Sequence, residues 1–184
     1  MIELDIVYSA QQLGKGVVDY FTIFISNIPF MLIFLLFLLI LIFVYEKKKL
    51  KIVLLTVLLA LVFHFVITEC LIKNAYYRER PYLAFPELIH PLGQPFKDSS
   101  FPSSHLASTA AVLTVLIYFH RKYWLPAALA VLLMAFSRVH NGMHYPSDVL
   151  TGIILGSLYG LAAVYSINWL AKKKRLKKYF FSKG

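Results

Sequence analysis

The sequence is poor in cysteine and in acidic side chains. The first shortage excludes certain covalent and metal sites, and the second leaves the chain with a positive net charge. Cys70 is the only cysteine in 184 residues, which excludes an intramolecular disulfide and a cysteine-based metal cluster. Nine Asp and Glu residues accompany nineteen Lys and Arg residues, so the formal net charge is +10. The opening stretch, MIELDIVYSAQQLGKG, carries acids where a cleavable secretory signal has basic residues. We therefore expect an uncleaved first membrane span to direct the chain to the membrane.

Apolar residues, in contrast, are abundant and fall into long blocks, which is typical of a membrane protein. They make up 59% of the chain, and a helix needs about 20 of them in succession to cross a bilayer. Five blocks reach or approach this length, at residues 28–45, 52–72, 105–120, 123–138 and 147–171. The sequence thus predicts an all-α, polytopic membrane helix bundle, and its length favours a single domain over residues 1–184.

Residues 5–27 are mixed in character and predict an amphipathic helix that lies in the membrane interface and leads into the first span. A sixth span in this region is the alternative interpretation. It would carry several polar side chains into the bilayer, namely Asp5, Gln11, Gln12, Lys15 and Asp19.

The charges between the spans predict the orientation of the bundle. Thirteen of the nineteen basic residues fall in 46–51, 121–122 and the tail 172–184, accompanied there by a single acid, Glu46. Basic loops stay in the cytoplasm, so the long connection 73–104 is expected to face outward. The excess of positive charge is therefore a topology signal and argues against nucleic-acid binding, while the tail is suited to contact anionic lipid head groups.

Three polar clusters stand at the predicted outer ends of the spans. They are KNAYYRERP at 73–81, PSSH at 102–105 and SRVHNGMHYPSD at 137–148. Because successive spans alternate in direction, all three are expected to meet on one face of the membrane.

In the first cluster, Lys73 and Arg80 are seven residues apart, so a helix would place them on one side, two turns apart. Long basic side chains that reach toward the membrane surface are the alternative explanation. Arg78 has the character of a plain surface residue that pairs with Glu79.

In the second cluster, either Ser103 or Ser104 is suited to cap the following helix. A cap does not explain His105 beside them. A helix N-terminus with small hydroxyl residues attracts anions, and a histidine at that point can donate a proton near neutral pH.

In the third cluster, Asp148 lies four residues after His144, and a carboxylate beside an imidazole fixes its tautomer and stabilises the imidazolium. His144 is therefore a candidate nucleophile, although Asp148 is also suited simply to cap the last helix.

A metal site is the alternative for this cluster, because His140, His144 and Asp148 follow one another at intervals of four residues, as metal ligands on one helix face do. However, Gly142 and Pro146 interrupt the helix, and nearby cations disfavour a metal ion. His64 and His120 lie away from this face, as a packed histidine and an interface residue.

Together, fixed cations, a helix N-terminus, two histidines and a carboxylate match the needs of phosphoryl transfer, which depends on positioning and on stabilising negative charge. A protein that binds or moves phospholipid head groups without catalysis is the second hypothesis. It would need the cations but not the paired histidines.

The three clusters resemble the three-part signature of the type 2 phosphatidic acid phosphatase (PAP2) superfamily. The matching residues are Lys73-x6-Arg80-Pro81, Pro102-Ser103-Ser104-His105 and Ser137-Arg138-x5-His144-x3-Asp148. The resemblance implies that His144 forms a phosphohistidine, that Asp148 orients it and that His105 protonates the leaving group. It also implies a metal-free, cofactor-free reaction. The residues that it assigns to phosphate binding are Lys73, Arg80, Ser103, Ser104 and Arg138.

Two positions depart from the family pattern: Ser104 stands where Gly is usual, and Tyr82 where many members have Arg. The predicted spans favour the integral-membrane branch, whose bacterial members act on lipid phosphates at the outer face of the cytoplasmic membrane. The resemblance therefore implies a lipid substrate, with lipid A 1-phosphate and undecaprenyl pyrophosphate as the leading candidates. The sequence carries no signal for oligomeric state.

Overall fold

The computed structural model describes residues 2–14, 16–27, 40 and 47–172. Within these ranges the secondary structure is helical, without strands. The α-helices that organise the chain are α1 (Ile2–Gln11), α2 (Val17–Ile25), α3 (Lys47–Phe63), α4 (Pro81–Ala84), α5 (Ser104–Phe119), α6 (Trp124–His140) and α7 (Pro146–Lys172). Three further segments are the π-helix His64–Ile72, the α-helical turn Lys73–Ala75 and the 3-10 helix Arg121–Tyr123.

The prediction of one interfacial helix over residues 5–27 is wrong, because the chain forms two short helices there. Gly14 and Gly16 have φ values of 68° and 93°, a left-handed backbone that interrupts a right-handed helix and that glycine adopts without strain. With ten residues in α1 and nine in α2, neither helix is long enough to cross a bilayer. Val7 and Ala10 of α1 are buried in contact with the rest of the fold.

Among the described residues, three helical segments are long and apolar enough to cross a membrane, and each contains one of the predicted spans. They are Leu50–Ala75, Arg121–His140 and Pro146–Lys172. The predicted span 105–120 corresponds to the apolar helix α5, which at 16 residues is shorter. The first predicted span, 28–45, and the basic tail beyond residue 172 lie outside the described residues, Ile40 excepted.

The expectation that one helix carries both Lys73 and Arg80 is wrong. The α-helical turn ends at Ala75, and Tyr76 is extended, with φ −137° and ψ 110°. Arg80 is also extended, with ψ 151°, because a residue that precedes proline is disfavoured in the helical region. Lys73 and Arg80 are therefore brought together by tertiary contacts and not by helical periodicity.

The close packing of α5 against α7 depends on three glycines spaced four residues apart on one side of α7. A Cβ atom at Gly152 would lie 2.6 Å from the carbonyl oxygen of Ser103, and one at Gly160 would lie 2.7 Å from that of Ala111. Gly156 faces the backbone of Ala107 in the same way. Small residues at this spacing let two helix backbones approach closely, and here they bring the start of α5 beside the start of α7.

The opposite face of α7 exposes large apolar side chains, as a helix surrounded by lipid does. These side chains are Leu150, Ile154, Leu158, Leu161, Tyr165 and Trp169. Helix α6 ends, and helices α5 and α7 begin, at the same end of the bundle, whereas Arg121 and Lys122 lie in the turn at the other end. All three polar clusters thus share one end.

Candidate active site

His144 lies in the turn between α6 and α7, and both of its ring nitrogens have defined neighbours. Nδ1 is 2.8 Å from the carbonyl oxygen of Ser100, which can only accept, so Nδ1 carries the proton in the neutral ring. Nε2 then presents its lone pair, 3.3 Å from Nη1 of Arg80. The turn therefore presents an unprotonated nitrogen next to a fixed positive charge.

Burial lowers the pKa of His144 well below its ordinary value, and the positive charges of Arg138 and Arg80 lower it further. The hydrogen bond to Ser100 acts in the opposite direction and does not offset them. His144 is consequently neutral near pH 7, which is the state that a nucleophilic imidazole needs.

Asp148 caps the start of α7 and also lies near the ring of His144. Its Oδ2 accepts a hydrogen bond of 2.9 Å from the backbone N–H of Tyr145, the residue before α7, and so satisfies a donor at the helix N-terminus. The same Oδ2 lies 3.8 Å from Nδ1 of His144. Asp148 is thus close enough to stabilise an imidazolium, but Ser100 is the direct hydrogen-bond partner of the ring.

Lys73 and Arg80 meet at the carboxylate of Asp98, in the long connection between residues 73 and 104. Nζ of Lys73 is 2.5 Å from Oδ2 of Asp98, and Nη2 of Arg80 is 2.7 Å from Oδ1. Burial alone raises the pKa of Asp98, but the hydrogen bond from Lys73 and the charges of Arg80 and Lys73 outweigh burial and lower this pKa to about 2. Asp98 therefore stays ionised and partly neutralises both cations.

The ring of Phe96 marks the centre of the site, since three of the predicted functional side chains surround it. The guanidinium carbons of Arg80 and Arg138 lie 5.4 and 5.9 Å from the ring centroid, and the centroid of the His105 ring lies 6.2 Å away. The Tyr82 hydroxyl accepts a hydrogen bond of 2.9 Å from the Phe96 backbone N–H and donates to its carbonyl oxygen. Tyr82, one of the two departures from the family pattern, thus fixes this part of the loop.

Neither serine of the PSSH segment caps α5 with its side chain. Ser103 occupies the N-cap position, yet its hydroxyl makes no capping bond, while its backbone N–H donates to the carbonyl oxygen of Asp148 at 3.1 Å. The hydroxyl of Ser104 instead donates to Oε1 of Glu69 at 2.5 Å, and Glu69 also lies 3.4 Å from Nζ of Lys73. The side chain that replaces the usual glycine therefore bonds to the π-helix.

Buried polar atoms without hydrogen-bond partners gather among these residues. In the part of the chain that the structure describes, they include Oγ of Ser103, Nε2 of His105, and Nε and Nη2 of Arg138. Leaving such a group unpaired costs about 1–3 kcal/mol, so a cluster of them marks a place where a bound ligand or water would complete the hydrogen bonds. Hydroxyl, imidazole and guanidinium groups together suit an oxyanion.

The histidines outside the signature have other partners. Nδ1 of His140 is 2.7 Å from the carbonyl oxygen of Ala10, and Nε2 is 2.8 Å from Oδ1 of Asp19, so His140 binds the N-terminal helices and not a metal with His144. His64 lies inside the bundle, with its ring 6.4 Å from that of Tyr159. Within the described ranges, no group of three or more His, Cys, Asp or Glu side chains is arranged to hold a metal ion.

The sequence did not identify several residues that complete the site. The prediction that Arg78 is a plain surface residue paired with Glu79 is wrong, because its guanidinium contacts Asp148 at 2.6 Å and Glu3 at 2.7 Å. Glu69 had a recognisable signal, as a carboxylate inside an apolar span is costly and commonly functional. Asp98 is one of several loop carboxylates, and Ser100 acts through its backbone, so neither had a signal of its own.

Comparison with known proteins identifies the family of this chain. The family model described as the PAP2 superfamily matches residues 49–172, more than half of the chain. Undecaprenyl-diphosphatase BcrC of Bacillus subtilis is 34% identical over 90 residues, which are 49% of this chain and 46% of that protein. Decaprenylphosphoryl-5-phosphoribose phosphatase of Mycolicibacterium smegmatis is 43% identical over 82 residues, which are 44% of this chain and 42% of that protein. The chain thus spans about half the length of the curated relatives it matches.

Two solved structures share the fold. Aquifex aeolicus LpxE superimposes with a TM-score of 0.66 at 23% identity, covering 90% of this chain and 96% of that one. The PAP2-type phosphatidylglycerolphosphate phosphatase of Bacillus subtilis gives a TM-score of 0.68 at 21% identity, covering 94% of this chain and 87% of that one. Given the match of the family model and of the fold, this chain belongs to the PAP2 superfamily.

Proposed function

We propose that this protein is a metal-independent lipid phosphate phosphatase that works through a phosphohistidine at His144. The observation that carries the proposal is the combination of an unprotonated Nε2 on His144, 3.3 Å from Arg80, with the unpartnered donors of Ser103, His105 and Arg138 around the same site. A phosphate placed among them would satisfy the donors and present phosphorus to the nucleophile.

The reaction has two steps. Nε2 of His144 attacks phosphorus, forming an N–P bond as the P–O bond to the lipid breaks, and His105 gives its Nε2 proton to the departing oxygen. His105 then takes a proton from water, whose oxygen attacks phosphorus as the N–P bond breaks and inorganic phosphate leaves. Arg80, Arg138 and Lys73 offset the negative charge that accumulates on the phosphoryl oxygens in both steps.

The test is phosphate release from detergent-solubilised lipid phosphates by wild type, His144→Ala and His105→Ala. We expect His144→Ala to abolish turnover and His105→Ala to reduce it by about 10²–10⁴-fold, the usual contribution of a general acid. His90→Ala is the matched control, because His90 is an exposed histidine of the outward loop that bonds through its backbone. Full activity in either active-site variant would contradict the proposal.

Two further measurements separate catalysis from simple binding. Activity should persist in EDTA, and a strict requirement for an added metal would contradict the proposed chemistry. A protein that only binds or transports phospholipid head groups would be stabilised by a lipid phosphate in a thermal unfolding assay without releasing phosphate. This outcome would favour the non-catalytic alternative.

For the substrate, we propose a long-chain lipid phosphate, with undecaprenyl diphosphate ahead of a lipid A phosphate. The support is that relatives named for polyprenyl substrates match longer stretches of this chain, 90 and 82 residues, than the lipid A 4'-phosphatase of Bacteroides thetaiotaomicron, which matches over 64 residues. A panel of undecaprenyl diphosphate, lipid A and phosphatidylglycerophosphate, compared by kcat/KM, distinguishes the candidates.

We also propose that the site faces the outside of a bacterial cytoplasmic membrane, with the C-terminal tail in the cytoplasm. The support is the charge distribution: Arg121 and Lys122 lie at the end of the bundle opposite His144, and basic connections stay on the cytoplasmic side.

A further inference from the structure

Arg78 bridges two carboxylates at the edge of the candidate site. Nη1 lies 2.6 Å from Oδ1 of Asp148 and 2.7 Å from the hydroxyl of Ser147, and Nη2 lies 2.7 Å from Oε2 of Glu3. Its guanidinium also stacks 4.0 Å from the ring centroid of Tyr145. Because Asp148 is completely buried, Arg78 is the cation that compensates its charge.

The backbone of Arg78 supports the other neighbour of the His144 ring. The carbonyl oxygen of Arg78 accepts a hydrogen bond of 2.9 Å from the N–H of Ser100, and the carbonyl oxygen of Ser100 accepts the proton of His144 Nδ1. Both groups next to Nδ1, the Ser100 carbonyl and the Asp148 carboxylate, are therefore held by the same residue.

Glu3 of α1 anchors Arg78 and the start of α7 together. Its Oε2 binds Arg78, and its Oε1 accepts a hydrogen bond of 2.9 Å from the N–H of Ser147. Burial alone raises the pKa of Glu3 and lowers that of Arg78, but the hydrogen bonds with Ser147, Asp148 and each other outweigh burial. The pKa of Glu3 is consequently lowered and that of Arg78 raised, so both groups are charged near pH 7.

We propose that Arg78, anchored by Glu3, is a positioning residue for His144 and acts by holding Ser100 and Asp148 against its ring. The inference rests on the proposed function, since it assigns His144 as the nucleophile. When His144 forms the phosphohistidine, its ring gains positive charge, and an ionised, correctly oriented Asp148 stabilises that charge. Without Arg78, Asp148 is left as a buried charge without its cation, which is strongly unfavourable.

The direct test compares Arg78→Met and Arg78→Lys with wild type in steady-state assays. We expect Arg78→Met to lower kcat by about 10- to 100-fold, the usual effect of losing a partner of an active-site ligand. KM should change by about twofold at most, since the Arg78 guanidinium is bonded to Ser147, Asp148 and Glu3 and is not among the residues proposed to bind the phosphate. Lysine keeps the charge but cannot bind two carboxylates in parallel. Arg78→Lys should therefore recover part of kcat.

A double variant separates positioning from a general structural role. If Arg78 acts through Asp148, Arg78→Met combined with Asp148→Asn should be no slower than Asp148→Asn alone, within about twofold. Losses that multiply would contradict the inference.

Glu3→Gln and Glu79→Gln make the same chemical change at two positions, of which only Glu3 contacts Arg78 through its side chain. Glu79 precedes Arg80 on the exposed side of the loop, so Glu79→Gln should retain wild-type kcat, whereas Glu3→Gln should lower it. Equal rates in the two variants would contradict the inference.

The two proposals can fail separately. If wild type releases no phosphate from any lipid phosphate, the proposed function fails. If wild type is active and the Arg78 and Glu3 variants match it, only the positioning role fails. If Arg78→Met does not fold, as judged by gel filtration and thermal unfolding in detergent, Arg78→Lys and the Glu3–Glu79 pair decide the question.

Discussion

Asp98 places a negative charge between Lys73 and Arg80, the two cations that we propose to bind the substrate phosphate. Its carboxylate spans Lys73 and Arg80 at 2.5 and 2.7 Å, yet its side chain is 44% exposed. The position of Arg80 does not depend on the Asp98 carboxylate, because two backbone carbonyls also hold the guanidinium. Nε donates to the carbonyl of Asp98 at 3.1 Å, and Nη1 donates to that of Met143 at 3.0 Å. In the proposed mechanism, a phosphate therefore competes with the Asp98 carboxylate for Lys73 and for an Arg80 side chain that is already in place.

This competition predicts that Asp98→Asn strengthens inhibition by inorganic phosphate by up to about fivefold, the range expected from one partly exposed ion pair. The measurement is the inhibition constant of phosphate in the phosphatase assay. Glu87→Gln removes the same charge from an exposed position of the loop and should leave the constant unchanged. Weaker inhibition in Asp98→Asn would mean instead that Asp98 holds the cations in position.

At the scale of the helices, the geometry of the site depends on how α5 and α7 approach each other. The glycines at 152, 156 and 160 let the backbone of α7 lie against that of α5, and the N–H of Ser103 bonds to the carbonyl of Asp148 at 3.1 Å. The π-helix His64–Ile72 adds Glu69, whose carboxylate contacts Ser104 and Lys73. Irregular helical turns of this kind are rare and commonly lie at functional sites.

A larger side chain at Gly156 should separate the two helices. We expect Gly156→Val to destabilise the protein by about 1–3 kcal/mol, the usual cost of overpacking, and to lower phosphatase activity because the start of α5 moves away from Asp148. The measurement is thermal unfolding in detergent together with phosphate release. Ala162→Val adds bulk to an exposed position of the same helix and should leave both unchanged; an equal loss there would contradict the packing argument.

At the scale of the whole molecule, the candidate site and the basic residues that predict the membrane orientation lie at opposite ends of the bundle. The candidate site lies at one end, and Arg121 and Lys122 lie in the turn at the other. Helix α1 covers the site end, since Glu3 contacts both Arg78 and Ser147. Helix α1 is therefore part of the site and not only a lead into the membrane.

The proposed orientation predicts opposite labelling of two cysteines introduced into a Cys70→Ser background. Gln94→Cys, in the loop near the site, should react with a membrane-impermeant maleimide in intact cells. Lys122→Cys should react only after the cells are permeabilised. The reverse pattern would contradict the orientation inferred from the positive-inside rule.

The sequence by itself determined the helical class, three of the membrane-capable segments and the family, because long apolar blocks and spaced polar signatures are properties of order along the chain. It also predicted eight residues for catalysis and phosphate binding. Contacts in the tertiary structure link five of them: Lys73 and Arg80 through Asp98, Arg80 to His144, and Ser103 to Asp148.

Only the tertiary structure decided which partners these residues have. The Ser100 carbonyl contacts His144, and Arg78 bridges Glu3 and Asp148. These contacts join positions far apart in sequence. A backbone carbonyl is present in every residue, so the sequence does not indicate which carbonyl accepts a given hydrogen bond. The cation that pairs with a carboxylate depends on the distance between them in space. Distance is set by how the helices pack, and the order of residues along the chain does not contain it.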